Sequence, residues 1–385
     1  MNRVLRSALV GSLMLITSVS PAHAAVKAGD SCKKVGQIST NKGIKFTCVK
    51  SGKKVLWNAG VKVASPAPSV APAVSKPLTL DNLDYEQVYL KSRAEVAKYV
   101  AAGASSEGVI DFQAGANVDK WRIDIAKSEV NSAVKLWSSF FKPSSVTIIW
   151  YSSKDIPWAK TRYEAAGGNP AWASGFTGCT PQYCGGASAS LMGGGKFLFE
   201  QGLEFQDQGL WNRATAAHEY THLAQYGLSN PTNLSSMPWW SVEGGAQFYG
   251  EAIGYAPFDS SKQTRSGMHN QYVEDSRAYI STLFPGQNLK SLLLKNDPEI
   301  SKKLMKSIEV SSNSAGALGL TYHLGSYATE VLVALYGHEK MAEFYRSFAT
   351  STNYESNFSN VFGLSLDTFY SKLTPYLYSM AAELK

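Results

Sequence analysis

The residues best suited to chemistry lie in Trp211–Gly227, where His218-Glu219-Tyr220-Thr221-His222 sits in an alanine-rich, proline-free run. That composition favours a helix, and the glycine at 227 suits its C-terminus. On a helix, positions four apart lie one turn above each other, about 6 Å along the axis. Both imidazoles can then reach one Zn²⁺ ion, with Glu219 beside them to take a proton from water. The chain has only six histidines, so chance yields this pattern in roughly one such chain in two hundred. The bland alternative is a pair of hydrogen-bonded histidines on a polar helix face.

Two imidazoles fall short of the three protein ligands that catalytic zinc sites normally supply. After a break rich in Asn, Pro and Ser comes Pro238-Trp239-Trp240-Ser241-Val242-Glu243-Gly244-Gly245-Ala246-Gln247-Phe248-Tyr249-Gly250-Glu251. Ser241 is a candidate N-cap for a second helix, with Glu243 in its first turn. If that helix packs antiparallel to the first, it brings the Glu243 carboxylate to the ion. Two nitrogens and an oxygen suit Zn²⁺. Alone, a glutamate near a helix start is explained by the helix dipole; the upstream pattern gives Glu243 its candidacy. Trp239 and Trp240 read as core at the helix junction.

His218-Glu219-x-x-His222 followed by Pro238-x-Trp240-x-x-Glu243-Gly244-x-Ala246 resembles the gluzincin metallopeptidases, in particular the bacterial peptidase MA-like domains. Softer likeness continues through Tyr322-His323-Leu324-Gly325-Ser326-Tyr327, Leu335–Met341 and Phe362–Tyr370. The resemblance covers about residues 145–385. It implies His218, His222 and Glu243 as zinc ligands and Glu219 as general base. It also implies Tyr322 as first candidate, and His323 as second, to stabilise the oxyanion of peptide hydrolysis. Leu228 stands where a metzincin would carry its third histidine, and the Gly-Ala-Met-Glu-Asn signature of related aminopeptidases is absent. That absence favours cleavage within chains. One departure matters: thermolysin-like enzymes often place a carboxylate four residues after the glutamate ligand, and here Gln247 stands there. Its amide oxygen can still accept from a ligand histidine, with Glu251 a further candidate behind the metal ligands.

The elements that must position these residues form an α+β pattern, the implied fold being zincin-like with a small mixed sheet and a mostly helical C-terminal part. Helical patterns occupy about 84–102 and 119–140. Ser145–Tyr151 and Lys196–Glu200 read as strands, and the chain after 208 is mostly helical. A peptide or protein substrate could pair along the Lys196–Glu200 strand if it is a sheet edge. The preceding Gly193-Gly194-Gly195 would allow close backbone approach or simply form a turn.

Ahead of this domain (79–385) lie three shorter segments. Residues 1–24 read as a signal peptide: Arg3 and Arg6, an apolar run from Ala8 to about Val19, then Ala22-His23-Ala24. That run is too short to span a bilayer, so no membrane span is expected after cleavage. Residues 25–63 read as a small β-rich module, with strands at 43–49 and 55–57, and 64–78 as a Pro/Ala/Ser linker. Of the net charge of +7, the module carries nine lysines against Asp30 alone. Its partner would be an anionic cell-envelope polymer, unless the lysines are simply a solvated face; no nucleic-acid partner is expected. Cys32 with Cys48 and Cys179 with Cys184 are the simplest disulfide pairs in an exported chain. A metal knot is disfavoured because no Cys-x-x-Cys is present.

The expectation is thus a secreted zinc peptidase, with the cell wall as a candidate place of attachment. The rivals are a zinc hydrolase of cell-wall amides and an envelope-binding protein with a degenerate peptidase domain. Residues 79–142 are a candidate propeptide.

Overall fold

The computed structural model describes residues 26–41, 44–62, 77–105, 108–180, 182–204, 213–254, 269–310, 315–382 and 384. The expected signal peptide, and the linker as far as residue 76, lie outside them. The chain divides into two compact units, one ending at Ser75 and one beginning at Lys76.

The first unit is an antiparallel sheet of β1 (Ile38–Asn41), β2 (Ile44–Ser51), β3 (Lys54–Trp57) and β4 (Val61–Lys62), with β2 pairing all three others. Period-two alternation turns Phe46 and Cys48 inward, and Trp57 lies opposite Cys48 in the β2–β3 register. Three buried side chains make a very small core, and the Cys32–Cys48 disulfide supplements it.

In the second unit a mixed sheet has the order β5 (Ile110–Ala114), β6 (Ser145–Tyr151), β8 (Lys196–Gly202), β7 (Ala187–Gly193). The first three strands are parallel and β7 is antiparallel to β8. The expected Lys196 strand is therefore interior, between β6 and β7, and the edges are β5 and β7. Positive φ at Gly193, Gly194 and Gly195 forms the β7–β8 turn.

Helices cover the rest of this unit. Before and between the strands come α1 (Tyr85–Ala102), α2 (Lys120–Trp137), α3 (Ile156–Ala165) and the single turn α4 (Ser174–Thr177). Asp84 caps α1 by accepting from Gln87 N–H. Next come α5 (Thr215–Leu228) and α6 (Trp239–Gly254), both almost wholly buried. Then follow α7 (Arg277–Leu283), α8 (Leu289–Leu293), α9 (Pro298–Lys306) and α10 (Ala315–Leu320). A π-helical turn, Thr321–Gly325, joins α10 to α11 (Ser326–Tyr336). The chain closes with α12 (His338–Ser347), α13 (Tyr354–Phe362), α14 (Leu366–Lys372) and α15 (Thr374–Ala381).

Two local expectations are corrected. Helix α5 continues through Gly227, whose missing side chain makes room for the Phe141 ring; a Cβ there would lie 2.3 Å from it. Ser241 is not the cap of α6. The helix starts at Trp239, and its first N–H groups donate to backbone carbonyls, Trp239 N to Glu309 O (2.7 Å) and Trp240 N to Ile308 O (3.0 Å). Trp240 is core as expected, fully buried with Nε1 donating to Tyr370 Oη at 2.7 Å.

No helix among the described residues is long and apolar enough to cross a membrane.

Candidate metal centre

Helices α5 and α6 run antiparallel, because early residues of one meet late residues of the other. Gly250 and Gly254 of α6 lie against the backbone of Ala214 and Arg213, while Gln225 of α5 donates to the carbonyls of Ser241 (3.2 Å) and Val242 (2.9 Å). A side chain at Gly250 would collide with Ala214 O at 2.6 Å, so that glycine permits the close approach. This register sets Glu243 opposite the two histidines.

The three expected ligand atoms converge. His218 Nε2 and His222 Nε2 are 3.0 Å apart, and Glu243 Oε2 lies 3.4 Å and 3.5 Å from them. Among the described residues these three form the one His/Cys/Asp/Glu group able to hold a metal ion. Bonds of about 2.1 Å in a tetrahedral array place ligand atoms roughly 3.4 Å apart, so the spacing fits a small cation.

Proton placement fits as well. His222 Nδ1 faces Gln225 Oε1 at 2.8 Å. Because the Gln225 amide nitrogen is committed to two backbone carbonyls, its oxygen must be the acceptor and Nδ1 the donor. Gln247 repeats the arrangement: its Nε2 donates to Glu251 Oε1 at 3.0 Å, leaving its oxygen to accept from His218. Both rings are thereby held in the tautomer whose Nε2 carries a lone pair. Two buried lone pairs and a carboxylate facing one another at this distance could hold a cation.

The electrostatics say the same. Burial alone would lower His222, but the Glu243 and Glu219 carboxylates raise it to about 9. Burial pushes Glu243 up, yet the two histidines hold it below the usual carboxylate range. Burial lowers His218 and raises Glu219 to about 8.

Glu219, His218 and Gln247 border a cleft of about 370 Å³, closed on other sides by Gly185, Gly186 and Ala187 and by Tyr272 and Tyr322. The glycines follow Cys184, so the Cys179–Cys184 disulfide pins a loop at the cleft. Beneath it, the fully buried Glu200 carboxylate accepts from Tyr151, from Ser188 Oγ at 2.6 Å and from the Gly175 backbone. A Cβ on Gly175 would lie 2.2 Å from Glu200 Oε1. Glu200 therefore ties β6, β7 and α4 together. Burial raises it to about 7.

The two oxyanion candidates part company. Tyr322 borders the cleft, its ring edge-on to His218 at 5.7 Å and its hydroxyl near the Glu243 carboxylate, whose charge helps burial to push the phenol up. His323 does not reach it. It is fully buried, with Nδ1 2.8 Å from His269 Nδ1, and His269 Nε2 in turn lies 3.2 Å from Glu251 Oε1. Successive residues of a helical turn point about 100° apart, so one cleft cannot take both. Glu251 also faces Arg93 of α1 at 4.0 Å.

Sequence reasoning missed Gln225, His269 and Tyr272. Gln225 was findable, being three residues beyond His222 on the same helix face; nothing local marks the other two. No family model, curated protein or solved structure matches this chain.

Proposed function

We propose that this chain is an exported zinc-dependent endopeptidase with a zincin-like fold of the gluzincin kind. The observation that carries the reading is the trio of His218 Nε2, His222 Nε2 and Glu243 Oε2 within 3.5 Å of one another, with Glu219 beside it on a cleft. A Zn²⁺ ion held there would act as a Lewis acid on the scissile carbonyl and on water. Glu219 takes the proton of the attacking water. The same carboxyl then delivers that proton to the leaving amine. An extended peptide would add to the outer edge of β7, which pairs only with β8 among the described residues and whose first residue, Ala187, borders the cleft. The two disulfides suit an oxidising compartment. The exposed lysines of the first unit, among them Lys45, Lys53 and Lys54, would hold an anionic envelope polymer.

Metal analysis and casein zymography test this together. The expected result is one zinc per chain, cleavage abolished by a chelator and restored by zinc. Glu219→Gln should retain the zinc and lose cleavage by about 10²-fold or more. Equal cleavage by wild type and Glu219→Gln would end the assignment of the base. Release of peptidoglycan fragments with casein left intact would move the activity to wall amides.

A further inference from the structure

The sheet of the first unit has two unlike faces. Phe46, Cys48 and Trp57 point to one side and form its small core. Neighbouring positions of a strand point to opposite sides. The register pairs Ile38 with Thr47, Leu56 with Val49 and Val61 with Lys45. These side chains therefore share the other face, and it is open to solvent: Ile38, Val49 and Val61 are 57%, 37% and 68% exposed.

Lysines stand at both ends of this apolar strip. Lys45 lies beside Val61 at one end, and Lys54 lies opposite Ser51 at the other, both exposed. Lys45 and Ser51 are roughly 20 Å apart along β2 at about 3.3 Å per residue. The only acidic residue of the module, Asp30, accepts from its own neighbour, Lys27 N–H, at 3.0 Å.

The pairing of apolar and cationic side chains on one face decides what can cover it. A bare polyanion would satisfy the lysines and leave the strip wet. A second copy, sheet against sheet, would cover the strip but set nine lysines against nine, each set offset by one aspartate. A layer that is apolar inside and negative at its surface meets both demands.

We propose that this face docks on an anionic lipid surface, with Ile38, Val49 and Val61 entering the headgroup layer and Lys45 and Lys54 meeting lipid phosphate. The proposal narrows the anionic partner of this unit to one whose charge sits on an apolar layer. It goes beyond the peptidase reading and does not depend on the metal centre.

The test uses the chain without residues 1–24 and three probes. These are vesicles of equal parts phosphatidylglycerol and phosphatidylcholine, vesicles of phosphatidylcholine alone, and a lipid-free poly(glycerol phosphate). Wild type should bind the first vesicles and not the second. A triple variant, Ile38→Thr, Val49→Thr and Val61→Thr, keeps β-branched residues in the strands. It should lose at least about tenfold in affinity for the anionic vesicles and nothing for the polymer. Lys45→Ala with Lys54→Ala should lose roughly 20-fold on those vesicles. Hydroxyl-radical footprinting of wild type gives a readout free of any folding defect, and oxidation of Ile38, Val49 and Val61 should fall when the anionic vesicles are added. Unchanged oxidation there, equal vesicle binding by the threonine variant, or binding to the polymer alone would each overturn the proposal.

Discussion

At the scale of single residues, Gln247 repays attention because it breaks the pattern this chain otherwise resembles. A carboxylate at that position would serve His218 better by charge alone. Here, however, Glu251 lies one helical turn away, nearly inaccessible, and already accepts from Gln247 Nε2 at 3.0 Å. An amide can accept from His218 and donate to Glu251 at once; a carboxylate cannot. Gln247→Glu would set two buried carboxylates against each other, and one would have to take up a proton. The expected outcome is a loss of about 3 kcal/mol in stability, read as a lower urea midpoint at pH 7.5. Exchanging the two residues (Gln247→Glu with Glu251→Gln) should recover part of it. A single variant as stable as wild type would show that the amide has no such double duty.

At the scale of elements, the site depends on how closely α6 approaches the π-turn. A Cβ on Gly244 would lie 2.4 Å from the Gly325 carbonyl carbon, and one on Gly325 would lie 2.5 Å from Trp240 O. Backbone packs on backbone at this point, and neither side can yield as a side chain could. Gly244→Ala should therefore cost about 3 kcal/mol and separate Glu243 from Tyr322, lowering zinc occupancy; a melt and metal analysis check both. The same elements show what was legible. The four-residue histidine spacing exposed α5, and the continuous β-branched and aromatic run of Val146–Tyr151 exposed β6. β5 escaped because Ile110-Asp111-Phe112-Gln113-Ala114 is short and half polar. β7 escaped because Ala187-Ser188-Ala189-Ser190 has little strand propensity and owes its shape to pairing with β8. Nothing in Thr321–Gly325 announces a π-turn, so adjacent Tyr322 and His323 read as rivals for one role. They face different partners.

At the scale of the whole second unit, residues 79–142 are built into the fold that holds the cleft. β5 pairs along five residues of β6, and α2 buries Val130, Val134 and Trp137. Arg93 of α1 lies 3.3 Å from the buried Glu330 carboxylate. A removable propeptide would not carry a share of the core. Trp137 of α2 also encloses His338, with Tyr99 of α1, Phe140 and Tyr249 completing an aromatic box around the ring. His338 accepts from Tyr249 Oη at Nδ1 (2.7 Å) and donates from Nε2 to Leu136 O (3.2 Å), the pattern of a neutral imidazole. Burial lowers it to about 3. Unfolding frees a group that titrates near 6.5, so between about 6.5 and 3 the unfolded chain binds a proton that the folded one refuses. The neutral ring's contribution is complete above that window, and stability falls by about 1.4 kcal/mol per pH unit as the pH drops through it. Glu200 acts in the opposite sense. Raised to about 7, it favours the fold below about 4.5, and that advantage is lost as the pH climbs toward 7, so a plain stability curve hides both slopes. A difference measurement separates them. His338→Gln keeps an acceptor and a donor but cannot titrate, so wild type should lose stability relative to this variant at about 1.4 kcal/mol per unit below pH 6.5, in urea melts at matched pH. A constant difference would mean that the imidazole is protonated inside its box and that the unit does not owe its acid sensitivity to this ring.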